Sequence, residues 1–270
     1  MQVQVSGGLA VLAMVVSLSM SEVTQRLGAS PCWMTVAASD LVVKGTITGG
    51  DGQRAALRID ERLKGATDAT SITIVNRTST AGAPPAGSVI VFLQKPADAG
   101  PYYVTEIGEP GCAPSVAYSA EAAKMLTNEI ERQKGAVAAF AQSAKPVSAS
   151  AVFGKVKRDI ESLVKSSGPG KKQSAFRKVL RRGTSAVPAL IVLMDDDRSL
   201  CPGTVDVPAG PSAFEAVAHY SPETVFEAVD LALGNLTGIS SDTLGSKRPA
   251  ARDRVLAAWK VYFAYLQPQS

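Results

Sequence analysis

Between Asp40 and Glu106 the chain sets β-branched and apolar residues in runs too short for ordinary helices, and turn residues close the runs. Leu41-Val42-Val43-Lys44-Gly45-Thr46-Ile47 leads into Gly49-Gly50-Asp51-Gly52, a turn. From Ala55 to Leu63 the pattern alternates. Ala55, Leu57, Ile59 and Glu61 fall on one side; Ala56, Arg58, Asp60 and Arg62 fall on the other. Leu63-Lys64-Gly65 ends that run. Ser71–Val75, Ser88–Leu93 and Tyr102–Thr105 complete a set of five, with a loop at Ala81–Gly87, where Pro84 and Pro85 cannot serve a ladder. Short strands separated by turns predict a sandwich or a barrel. With so few strands, closing the sheet on itself is the simplest way to remove both edges.

After Ser119 the period changes to that of a helix. Leu126, Ile130, Val137 and Phe140 recur at helical spacing, with Ser119 as N-cap and Glu121 in the first turn. Ala141–Ser150 reads as a small-residue linker and a domain boundary. Three helical stripes follow: Phe153, Val156, Ile160, Leu163 and Val164; then Phe176, Val179 and Leu180; then Val187, Leu190, Ile191 and Met194 behind Pro188. Arg198–Pro211 reads as a loop. Ser221-Pro222 reads as the cap and first residue of a helix that buries Val225, Val229, Ala232, Leu233 and Leu236 and ends at Gly238. Val255, Trp259, Tyr262 and Leu266 mark a last helix. The expected class is α+β, with residues 22–118 forming the barrel, 119–150 a helix and linker, and 151–270 a helical module.

Residues 1–21 stand apart. Val5–Met20 holds no charge and an apolar centre from Leu9 to Leu18, shorter than the ~20 apolar residues a membrane span needs. It fits the apolar region of a secretory signal, with Ser19-Met20-Ser21 as a small-x-small cleavage site, although no Lys or Arg precedes it. Secretion or a periplasmic location follows as the expectation, with no membrane span left after cleavage. In an oxidising compartment two of the three cysteines should pair. Cys32 precedes the first strand and Cys112 follows the last. The two ends of a closed barrel can lie close together, so Cys32–Cys112 is the expected bridge. A loop of that length gives about 4 kcal/mol in the chain-entropy model. Cys201, in Cys201-Pro202-Gly203, is left as an idle thiol.

The barrel residues carry a resemblance. Asp40-Leu41-Val42-Val43-Lys44-Gly45-Thr46-Ile47, Ile59-Asp60-Glu61-Arg62-Leu63-Lys64-Gly65, Val89-Ile90-Val91-Phe92-Leu93 and Tyr102-Tyr103-Val104 resemble the TIMP-like, or netrin-like, OB-fold domains of secreted bacterial proteins. Pro85-Ala86-Gly87 stands where that family has a proline and glycine before the Phe-Leu strand. The match covers about a quarter of the chain. It implies an OB-like five-stranded barrel, and inhibition of an extracellular protease if Cys32 were the mature N-terminus. Gly183-Thr184-Ser185-Ala186-Val187-Pro188-Ala189-Leu190 resembles the start of a HEAT-type helix. The segment from Glu223 to Gly238 with Ala258-Trp259 resembles the close of secreted bacterial HEAT-like proteins.

Residues able to do chemistry are few. The single histidine, His219, has no G-x-S-x-G or other nucleophile motif near it. Asp195-Asp196-Asp197 reads as a solvated acidic turn at a helix end, with Arg198 as the nearest compensation. No cofactor or metal is expected. The strongest charge feature is one helix pair holding Lys155, Lys157, Arg158, Lys165, Lys171, Lys172, Arg177, Lys178, Arg181 and Arg182. Of these, Lys171, Lys172, Arg177, Lys178, Arg181 and Arg182 form the expected partner-binding patch. It could face an anionic polymer, lipid headgroups or an acidic protein. With no aromatics between the cations, nucleic acid is not expected. The reading is a secreted or periplasmic non-enzymatic binding protein. The alternatives are the protease inhibitor and a hydrolase whose site carries no recognisable motif.

Overall fold

The computed structural model describes residues 32–50, 54–75, 87–95, 100–105, 115–208, 217–239 and 249–267. The expected signal (residues 1–21) and Cys112 lie outside them. In the N-terminal half, β1 (Leu41–Gly50) pairs antiparallel with β2 (Arg54–Lys64), and β2 with β3 (Ser71–Val75). Next to β3 and parallel to it runs β5 (Tyr102–Val104), which pairs antiparallel with β4 (Ser88–Gln94). β4 then pairs with β1, so the order β1-β2-β3-β5-β4 returns to its start and the barrel closes. The five expected strands are present. A sixth, β6 (Ser115–Ala117), adds to the other edge of β4, placing Ile90 opposite Val116.

The alternation in the sequence decides what fills the barrel. Leu41 and Val43 of β1, Leu57 of β2, Ile72 and Ile74 of β3, and Val89, Val91 and Leu93 of β4 form one buried cluster. The residues between them on β1 and β4 are just as dry. Val42, Ile90 and Phe92 point outward and are covered by Cys32 and Val36 before the barrel and by Leu126 and Ile130 after it. Burial on both faces is why these two strands read as unbroken apolar runs. The turn after β2 requires glycine: Gly65 has φ +79°, and a Cβ there would sit 2.2 Å from the Asp40 carbonyl oxygen.

Two helices make that cover. Trp33–Ala37 forms α1, every residue of it buried, in the part of the expected barrel segment that precedes the first strand. Ala120–Ser143 forms α2, capped by the Ser119 hydroxyl accepting from Ala122 N. On α2 the buried positions are Leu126, Glu129, Ile130 and Gln133. Val137, expected in the apolar stripe, is exposed. The buried face instead continues through Glu129 and Gln133, which find polar partners. Ala141–Ser150 is helical rather than a linker over most of its length: α2 runs to Ser143, and α3 (Lys145–Ser148) follows after one residue.

The remaining helices are α4 (Ala151–Val164), α5 (Pro169–Leu180), α6 (Val187–Val192) behind a 3-10 turn at Gly183–Ala186, α7 (Val225–Thr237) and α8 (Pro249–Leu266). They share one core with Trp33, Met34, Ala37 and Ala38 of the α1 region. The five apolar stripes expected for these helices lie in or against that core. Two expectations change in the stretch before α7. Within the expected loop, β7 (Val205–Pro208) forms a hairpin with β8 (Val217–Tyr220). α7 is capped by Thr224, whose hydroxyl accepts from Glu227 N, and not by Ser221. The physical reason is a competing pairing. Leu200 N donates to Glu223 O at 2.8 Å and Val225 N to Arg198 O at 3.0 Å, which holds Glu223 and Thr224 extended. Gly238 ends α7 at φ +73°, as its position suggests.

Candidate functional site

The basic helix pair has two faces that the sequence alone does not separate. On α5, Lys172, Ala175, Phe176 and Val179 recur at helical spacing and are all buried. Lys172 is wholly buried, and its Nζ donates to three backbone carbonyls: Cys201 O at 2.8 Å, Gly203 O at 2.9 Å and Pro222 O at 2.7 Å. Burial pulls its pKa below the usual lysine value, against the opposing pull of Cys201, Glu223 and Glu227. Lys172 therefore ties two loops to α5 and is not part of the expected patch. Arg182 is also engaged: its Nε donates to Asp159 Oδ2 of α4 at 2.8 Å, which holds its pKa above the ordinary arginine value. The patch that sequence reading assigns to six residues keeps Lys171, Arg177, Lys178 and Arg181 as exposed cations.

These four continue onto α4. Lys155, Lys157, Arg158 and Lys165 are exposed there, opposite the buried Val156, Asp159, Ile160 and Leu163. Between residues 145 and 194 the chain has eleven Lys and Arg and only two acids, Asp159 and Glu161. Both acids are engaged. Asp159 takes Arg182, and Glu161 takes Arg198, whose Nη2 lies 2.7 Å from Glu161 Oε1. The Arg198 hydrogen bond also lowers the Glu161 pKa. None of the eight exposed cations has a carboxylate within ion-pair distance among the described residues. Eleven minus two leaves this segment at +9 in a chain of +4, and the rest of the chain at −5.

The acidic turn is neutralised from two directions. Arg198 compensates Asp196, with Nη2 at 2.6 Å from Oδ2, and lowers its pKa. Asp197 is reached by Arg252 of α8 at 2.7 Å, and Asp195 lies 3.9 Å from Lys260. Among the described residues no group of three His, Cys, Asp or Glu is placed to hold a metal ion. His219 lies on β8 opposite Asp206, with Nδ1 at 2.9 Å from Asp206 Oδ1. Asp206 is in turn held through its backbone by Gln173 of α5, at 2.6 and 3.1 Å. This is an exposed pair, and no hydroxyl or thiol among the described residues is joined to it.

A second candidate surface lies on the barrel. Arg54, Ile72, Thr73, Gly100, Pro101 and Tyr102 line an open groove of about 420 Å³ across β2, β3 and the start of β5. Sequence reading places these strands but not the groove, since only barrel closure brings Tyr102 beside Ile74. Of the cysteines, Cys32 is 5% exposed and its carbonyl accepts from Val36 N at 2.9 Å, and Cys201 is a free thiol. No described helix is long and apolar enough to cross a membrane. The chain matches no protein-family model, no curated protein and no solved structure.

Proposed function

We propose that this chain is a non-enzymatic binding protein of the periplasm or the extracellular medium, and that the outer face of α4 and α5 is its contact surface. One observation carries the reading: eight exposed cations lie on these two helices without a carboxylate partner among the described residues, while the two acids of the segment are held by Arg182 and Arg198. A one-sign surface raises the local concentration of opposite charge and speeds its capture. The barrel belongs to the proposal as an OB-like module. Its order β1-β2-β3-β5-β4-β1, with β3 and β5 parallel, supports that likeness. A Cys32–Cys112 bridge, a cleaved signal and a HEAT-like packing of the helices complete the proposal. The position of Cys32 under the barrel's outer face, and Cys201 as the free thiol, support the bridge. The inhibitor alternative needs the amine and carbonyl of Cys32 at the surface, whereas the residue is buried and its carbonyl is used within α1.

Co-purification from periplasm and medium tests the reading, comparing the native chain with a variant carrying Lys171, Arg177, Lys178 and Arg181 as Ser. The expected result is loss of the co-purifying component with an unchanged melting temperature. Undiminished recovery removes this face as the contact surface. Sequencing of the mature N-terminus tests the export claim separately.

A further inference from the structure

We infer that the basic face is built for an acidic polysaccharide, a reading that rests on the proposed contact surface. On α4, Lys155, Arg158 and Lys165 stand three and seven residues apart; on α5, Lys171, Lys178 and Arg181 stand seven and three apart. Each set follows one stripe of its helix, and at the helical rise each stripe is about 15 Å long. The two helices pack against each other. Asp159, one turn on from Lys155, receives Arg182 from the end of α5, so the flank of α4 next to its stripe is the flank turned toward α5. The stripes thus adjoin and form one elongated band of positive charge, not two separate surfaces.

What lies between the cations selects the occupant. Ser162 and Ser174 are exposed within the stripes, no aromatic residue is, and the one large apolar residue exposed on these two helices is Val152, one turn ahead of Lys155 at the start of α4. The apolar faces of both helices are already spent: Val156, Ile160 and Leu163, and Ala175, Phe176 and Val179, are in the core. An interfacial helix needs that apolar face to enter a bilayer. A protein partner needs an apolar or aromatic centre for its hot spot. A nucleic-acid single strand needs rings to stack on. A polymer of carboxylates and hydroxyls needs neither. It is matched by Lys, Arg and Ser alone, through charge-assisted hydrogen bonds that depend on salt.

The test titrates the full chain with alginate, a polyuronate, at low and at physiological salt. Uncharged dextran, duplex DNA and phosphatidylglycerol vesicles are run beside it. Alginate should bind most tightly, dextran not at all, and binding should weaken as salt rises. The triple variant K165Q/K171Q/K178Q should lose about tenfold or more in alginate affinity. R62Q/K95Q/K124Q, which removes the same charge from other surfaces, should stay within about twofold, both variants melting with the native chain. DNA or vesicles binding more tightly than alginate, with the triple variant impaired toward them, would overturn the polysaccharide and keep the contact face. Equal losses in the two variants, or no loss toward any probe, would overturn both.

Discussion

Inside the barrel, Leu41, Val43, Leu57, Ile74, Val89, Val91 and Leu93 form a cluster of apolar side chains. The seam that joins the barrel to the helices is as dry but is built from mixed material. Trp33 stacks near Tyr262 at 6.1 Å and meets the edge of Tyr265 at 5.1 Å. Around them, Glu129 accepts from Gln133 Nε2 at 2.8 Å, from Tyr265 Oη at 2.5 Å and from Arg132, while Gln133 also donates to Trp33 O at 2.7 Å. Further along, Asp40 accepts from Lys95 N at 2.7 Å and from Arg254 of α8. The apolar cluster is non-directional and tolerates a change of volume at a graded cost. The seam is directional: Glu129, Gln133 and Asp40 depend on named partners, and losing one leaves another unsatisfied, while Trp33 Nε1 and Arg254 Nε are buried with no hydrogen-bond partner among the described residues. The barrel interior therefore supplies stability, and the seam fixes how barrel and helices are joined.

The sharpest way to break this contrast is to compare Trp33→Ala with Leu57→Ala. Trp33 is 1% exposed and belongs to the helical core, although the strands of the barrel begin only eight residues later, at Leu41. Its truncation should cost about 4 kcal/mol. It should also split one cooperative unfolding transition into two, because it unpins α1 from α8. Leu57→Ala should cost about 3 kcal/mol and lower the midpoint without splitting the transition. Calorimetry with far-ultraviolet and tryptophan signals distinguishes the two. A single transition in both variants would show that the seam does not govern the coupling.

The seam also offers a test of direction against volume. Glu129→Ala removes the acceptor of Gln133, Tyr265 and Arg132 together and should cost about 3 kcal/mol, mostly through the partners left behind. Glu129→Gln keeps the shape and an acceptor and should cost about 1 kcal/mol. Urea unfolding of the two variants reads the gap directly. Equal losses would mean that the site is a packing position, like those in the barrel.

The two regions differed in how far they could be read from the sequence. The five strands are legible because short apolar runs bounded by turn residues, and the alternation along β2, are local signals. The second dry layer was not, because Val42, Ile90 and Phe92 are covered by residues of α1 and of α2, the latter more than thirty positions further on. Lys172 reads as a surface cation on its charge, yet its spacing with Ala175, Phe176 and Val179 is a readable sign of burial. What sequence could not show was the set of three carbonyls waiting for it. Ser221-Pro222 has good local chemistry for a helix start. A pairing with residues near Arg198 overrode it, and a local rule has no access to such a partner. The charge band was legible as composition; its separation from the engaged Lys172 and Arg182 needed the fold.

A pH-dependent effect concerns Lys64, a lysine largely buried at the seam. Lys64 Nζ donates to Val36 O at 2.5 Å and lies 3.4 Å from Ala37 O, at the end of α1. Burial lowers its pKa from 10.5 to about 8, opposed by Asp40 and assisted by Arg254 and Lys134. Below pH 8 the amine is protonated in folded and unfolded chain alike, and the full cost of burying the charge is present. Between about 8 and 10.5 the folded chain has released the proton and the unfolded chain still holds it. The unfolded state then binds more protons, so stability rises with pH across that window, by about 3 kcal/mol. Tyr262 opposes this at the top of the window. Burial raises its pKa from 10 to about 12, so the unfolded chain loses that proton first and stability falls above pH 10. The rise is therefore best read between pH 8 and 10, as the difference between the native chain and Lys64→Met in urea midpoints. The native chain should gain over that interval relative to the variant. Parallel pH profiles would show that the Lys64 charge carries no burial cost, and that the polar seam is wetter than the barrel interior beside it.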